Sequence, residues 1–289
     1  MIDTFNQYPL LVGAVVLALG LIVGSFLNVV AYRLPLILER QWRRDCCELL
    51  EVGDEQSEQK DTFNLAFPNS HCPNCEAAIK PWQNIPVVSY LLLKGRCANC
   101  QTRISPRYPI VELVTGLLSL GLYCHFGLGS TLFGALLLLW VLVALTLIDF
   151  DTQLLPDNLT LPLLWLGLVF NLFAVFTPIK DAVLGAMLGY LVLWSVYWLF
   201  LLVTGKHGMG HGDFKLLAAL GAWLGWHTVP LIILLSSLVG AVVGSLLLLL
   251  DKNRRGQPMP FGPYLAGAGL IALVWGQDIL TRFFPGISP

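Results

Sequence analysis

Two acidic residues stand where a carboxylate is costly. Asp149 follows directly on the apolar run 136–148 and opens the stretch DFDTQLLPD, while Asp213 ends GMGHGD, just before an apolar segment that begins at Phe214. An ionisable group at membrane depth is expensive unless paired or hydrated, so each is a functional candidate by default. Two carboxylates brought together do not both ionise readily. One keeps a proton, and the pair can serve as base and acid towards water attacking a peptide carbonyl. That is the chemistry of an aspartic protease. Gly208, Gly210 and Gly212 carry no side chain and would let an extended substrate backbone approach Asp213. Plainer readings stay open beside this one: Asp213 or Asp157 as a helix N-cap, Asp151 as a solvated charge, and Glu112 as the partner of a nearby arginine.

A second constellation is made of thiols. Cys72-Pro73-Asn74-Cys75 and Cys97-Ala98-Asn99-Cys100 have C-x2-C-x21-C-x2-C spacing, close to that of two knuckles supplying four thiolates to one tetrahedral zinc. Four protein ligands close the coordination shell, so one Zn2+ per chain is expected to hold this segment together and not to catalyse. Cys46, Cys47 and Cys124 have no spaced partner and are read as ordinary residues. His71, His207 and His211 lack a matching ligand set.

The elements that must position these groups are membrane helices. Hydrophobic residues make up 56% of the chain and charged residues 12%, against about a quarter charged in a soluble domain. Stretches able to cross a hydrocarbon core of about 30 Å lie near 9–31, 110–127, 130–148, 158–176, 182–203, 214–229, 230–250 and 262–281. The expected fold is therefore all-α and polytopic, with about eight transmembrane helices in the lipid bilayer and a small zinc-binding loop domain. Its parts are a first helix in 1–32, a four-cysteine domain in 33–107 and a seven-helix membrane domain in 108–289. With eight crossings, every Lys and Arg except Lys180, Lys215 and Arg282 falls on one side. Cytoplasmic loops retain positive charge, so the cysteine loop and both aspartates are expected to face the cytoplasm, with both termini periplasmic. In that reducing compartment disulfides are disfavoured.

These residues resemble the type IV prepilin peptidases, whose aspartic site belongs to the GxGD class of membrane proteases. The likeness is carried by Gly24-Ser25-Phe26-Leu27-Asn28 with Arg33-Leu34-Pro35, by Pro68-Asn69-Ser70 ahead of the knuckles, and by Arg107-Tyr108-Pro109 with Glu112. It continues through Asp149 with Leu155-Pro156-Asp157, Gly210-His211-Gly212-Asp213 with Phe214-Lys215, and Pro260-Phe261-Gly262-Pro263. Met259 stands where the family often has isoleucine. The resemblance implies that Asp149 and Asp213 are catalytic, in a bacterial inner-membrane enzyme that cuts prepilins and the pseudopilins of type II secretion. The cut follows a glycine separating a short basic leader from a hydrophobic helix. It also implies methylation of the new amino terminus with S-adenosyl-L-methionine. No G-x-G-x-x-G unit identifies residues for that donor, and no nucleic-acid partner is expected. Two other readings remain: a transporter whose aspartates relay protons or bind cations, and a peptidase without methyl transfer.

Overall fold

The computed structural model describes residues 8–51, 63–206, 208–250 and 259–283. Lys60, His207, Lys252, Arg254 and Arg255 lie outside them. The described helices are α1 (Pro9–Leu49), α2 (Val88–Leu92), α3 (Arg107–Phe126), α4 (Ser130–Thr152), α5 (Asp157–Leu172), α6 (Ile179–Thr204), α7 (His211–Leu224), α8 (Val229–Leu250) and α9 (Gly262–Phe283). Apart from the short α2, each matches one of the eight apolar stretches. Six of them, α1, α3, α4, α6, α8 with its leading turn, and α9, are long and apolar enough to cross a membrane. α5 has 16 residues and α7 has 14. At about 1.5 Å per residue both fall short of a bilayer's hydrocarbon core of about 30 Å.

The chain forms two compact units, Met1–Cys124 and His125–Pro289. In the first, α1 and α3 run antiparallel with small residues at the seam. A Cβ on Gly20 would lie 2.9 Å from the Gly116 Cα, and one on Gly24 would lie 2.9 Å from the Glu112 Cα. Such close backbone approach is how membrane helices gain packing without a hydrophobic drive between them. α1 does not stop at Ala31, where its apolar run ends, but continues past Pro35 to Leu49. Hydropathy marks the membrane and not the helix: Glu, Arg and Gln in 36–49 are good helix formers without being apolar.

In the second unit α7 is the hub. Every residue from Leu216 to Trp223 is buried. On one side α6 brings Gly185 and Gly189 against Gly221 and the Leu217 carbonyl of α7. On another, α5 leaves room at Gly167 for the Trp223 indole, whose Nε1 donates to the Leu163 carbonyl (2.8 Å). Asn171 of α5 donates to the Ala222 and Trp223 carbonyls at 2.8 and 2.9 Å, tying off the carboxyl end of α7. α9 closes a third side, with Gly269 against Leu220. α4 is similarly enclosed, and Leu138, Leu142, Leu145 and Ile148 are fully buried. The two aspartates thus sit on the two helices most surrounded by protein.

The turn between α7 and α8 lies earlier than the Val229–Pro230 dipeptide suggests. Pro230 is the second residue of α8, a position where its missing amide costs nothing. The break is at Gly225, φ +83°, followed by a 3-10 turn over Trp226–Thr228. Only glycine adopts that conformation freely.

Candidate active site and metal centre

Three segments converge on the aspartates. Asp149 lies in the last turn of α4 and is 4% exposed; its Oδ2 accepts the Gly262 amide at 2.8 Å from the start of α9. Asp213 lies in the first turn of α7 and is 7% exposed, and the Gly210 backbone reaches its carboxylate. Leu155, in the connection from α4 to α5, is the common neighbour: a Cβ on Gly212 would lie 2.6 Å from its Cβ, and one on Gly262 would lie 3.1 Å from its Cδ2. The two carboxylates are close enough to repel each other electrostatically. Two buried carboxylates within electrostatic reach of one another cannot both be charged at modest cost, and a pair of this kind can hold one proton and orient one water.

The bland alternatives for these residues fare differently. α7 is capped by Gly210, with Asp213 three positions further in and no side-chain capping bond. α5 begins after Pro156, so Asp157 is its first residue and not its cap. Asp157 instead accepts both contacts of the Lys215 ammonium, at 2.6 and 2.8 Å. With side chains 28% and 53% exposed, that pair contributes about 0–1 kcal/mol. Its effect is to hold the amino end of α5, and with it Leu155, against the first turn of α7. Glu112 is buried and accepts the Val87 amide at 2.7 Å.

The glycines next to Asp213 are not equivalent. A Cβ on Gly208 would meet the Phe200 ring at 2.7 Å, and one on Gly212 would meet Leu155. Gly210 alone of the three is open, its nearest neighbour being the Asp213 Oδ2 at 3.7 Å. Gly262 is the residue that side-chain chemistry could not announce, because its part is played by a backbone amide. A Cβ there would stand 2.7 Å from the Asp149 Oδ2. Gly262→Ala is therefore expected to displace the carboxylate and lower the catalysed rate by about 10²-fold with unchanged helix content. A rate within twofold of wild type would show that this contact does not set the geometry.

The four cysteine sulfurs of Cys72, Cys75, Cys97 and Cys100 lie within 4.8 Å of one another. The Cys72 and Cys100 Sγ atoms are 3.7 Å apart, far from disulfide length and close to the edge of about 3.8 Å that a tetrahedron with Zn–S of about 2.3 Å requires. Both knuckles are the same hairpin. Cys72 and Cys97 donate their amides to the carbonyls five residues on, Glu76 and Gln101 take positive φ, and isolated bridges join His71 to Ala78 and Arg96 to Arg103. The Asn in the third slot of each knuckle reaches across: Asn74 Nδ2 contacts the Cys100 Sγ at 3.6 Å and Asn99 Nδ2 the Cys75 Sγ at 3.5 Å. The Thr102 hydroxyl first, then its amide and Asn74, hold the Cys100 thiol down at about 5. The Cys100 and Asn99 amides lower that of Cys97. Donors aimed at sulfur favour the thiolate, the form that binds metal. The repeated Asn was the signal in the sequence for these contacts. Arg33 anchors the approach to the first knuckle, donating to the Asn64, Leu65 and Pro68 carbonyls at 3.1, 3.4 and 2.6 Å.

Architecture and site together define a class: a polytopic helical membrane protein with a buried aspartate pair and a four-thiolate pocket. The description "Bacterial Peptidase A24 N-terminal domain" matches residues 18–126, and "Type IV leader peptidase family" matches residues 136–245. The chain belongs to the type IV leader peptidase family. It is 54% identical over 282 residues to a prepilin leader peptidase/N-methyltransferase of Stutzerimonas stutzeri, covering 98% of this chain and 97% of the relative. The protein of that name from Pseudomonas aeruginosa is 55% identical over 283 residues, again 98% and 97% of the two chains. That of Legionella pneumophila is 49% identical over 277 residues, 96% of each. No solved structure matches the chain.

Proposed function

We propose that the chain is a bifunctional inner-membrane enzyme that cuts the leader from prepilins, and from pseudopilins, and then methylates the new amino terminus. The observation that carries this reading is the enclosure of Asp149 and Asp213 around Gly262 and Leu155, in a chain that aligns along nearly its whole length with enzymes of that name. The ionised aspartate accepts a proton as water adds to the carbonyl carbon of the leader glycine; the protonated one donates to the carbonyl oxygen. Collapse of the tetrahedral intermediate breaks the C–N bond and returns a proton to the leaving amine, with no covalent enzyme intermediate.

The freed amine then takes a methyl group from S-adenosyl-L-methionine, releasing S-adenosylhomocysteine and a proton. Cys72, Cys75, Cys97 and Cys100 would hold one structural Zn2+, which supplies rigidity to the segment between α1 and α3 and no reactive position. The positive-charge bias supports a cytoplasmic location for that segment and for the aspartates. Purified chain incubated with a prepilin and methyl-labelled donor is expected to release the leader and label the mature amino terminus. Prepilin left whole by folded chain would overturn the proposal, and proton or cation flux through liposomes bearing the chain would favour a transporter.

A further inference from the structure

α6 packs on α7, and α8 packs on α9, but α6 and α8 touch little. The gap between them is a groove. It comprises a cavity of about 440 Å³ and another of about 880 Å³ that share Val192 of α6 with Ile233 and Ser237 of α8. One end carries Trp226. The other carries Met209 and Phe261, the immediate neighbours of Gly210, which borders Asp213, and of Gly262, which bonds Asp149. Along α8 the lining runs from Val229 to Ala241, about 18 Å at about 1.5 Å per residue, which is more than half of a hydrocarbon core. Its walls are apolar apart from the Ser237 and Tyr264 hydroxyls and the Trp226 indole N–H, and its flank is open to the side, since Leu234 and Leu238 are more than half exposed.

We infer that this groove between α6 and α8 is the docking site for the hydrophobic helix of the substrate, which delivers the adjoining peptide bond to the aspartates. The inference rests on the proposed peptidase reading. Its support is continuity: the groove is lateral, mostly apolar and more than half a hydrocarbon core in length, and it ends on the two loops that position the carboxylates. A polar ligand would find few partners along it, and no charged side chain lines it. A helix in the groove can pack closely on α8, where Ser237, Gly240 and Ala241 present little bulk.

Two measurements on the full chain in phosphatidylethanolamine–phosphatidylglycerol vesicles test this. In an Asp213→Asn background, photoreactive p-benzoylphenylalanine replaces Ser237 or Val192, or, as a control, the exposed Trp165 of α5. Adducts with the hydrophobic segment of prepilin are expected from 237 and 192 in at least fivefold excess over 165. Equal yields, or lipid adducts alone from the groove positions, would overturn the inference. Separately, Ala241→Trp in the otherwise native chain is expected to raise the KM for full-length prepilin about tenfold with kcat within twofold. An unchanged KM would overturn it too. Cleavage by the Asp213→Asn background would instead sink the peptidase reading and leave the groove to be judged by its adducts.

Discussion

Purified Asp213→Asn chain, and equally Asp149→Asn chain, is expected to bind prepilin and leave it uncut, with cleavage falling by roughly 10³–10⁴-fold. Asparagine preserves the volume of each side chain, and the Gly262 amide can still donate to a carbonyl at position 149. What disappears is the ability to hold and pass a proton. Because the pair acts as one unit, the double variant should be little slower than either single one. Cleavage rates at saturating prepilin, with binding measured in the same preparations, check this. A single variant that retains a tenth of the native rate would remove that aspartate from the chemistry.

Loss of the metal is expected to have the second largest effect. Cys72→Ser with Cys97→Ser removes one ligand from each knuckle, and the zinc content should fall from about one per chain to near zero. Among the described residues, Asn74 and Asn99 make the side-chain contacts that cross between the two hairpins beside the thiols. The segment between α1 and α3 should then become protease-sensitive and methyl transfer should fall sharply. Milder damage is expected from Asn74→Ala, which leaves four thiolates in place and should weaken zinc binding by about 10–100-fold. Metal analysis and limited proteolysis read both results. An unchanged zinc content in the double variant would refute the four-thiolate site.

The helical fold was legible because apolar runs of membrane length are read directly from residue type, and all eight stretches contain helices. Their ends were less so, for physical reasons. α1 outruns its apolar segment by more than four turns, since backbone hydrogen bonding continues wherever side chains permit it. α7 starts at His211, before its apolar stretch, which places Asp213 inside the helix and not at its cap.

At the site, the residue types and spacing of Asp149, Asp213 and the four cysteines marked them as candidates, and the fold brings the four sulfurs together and the two aspartates within electrostatic reach. What could not be read were partners distant in the chain. Asp157 looked like a cap until Lys215, 58 residues on, was seen to grip it. Gly262 holds Asp149 through a backbone amide, and no side chain advertises such a role. Gly208 and Gly212, read as room for substrate, are small because Phe200 and Leu155 fill the space.

The most direct test of a proton-sharing aspartate pair that activates water is a single turnover of vesicle-bound prepilin in H₂¹⁸O, quenched in acid and weighed by mass spectrometry. The account predicts a released leader with one ¹⁸O in its new carboxylate, a chain whose mass never includes the leader, and no leader from the Asp213→Asn protein. A transient covalent leader–enzyme adduct, or leader release by that variant at near-native rate, would contradict it.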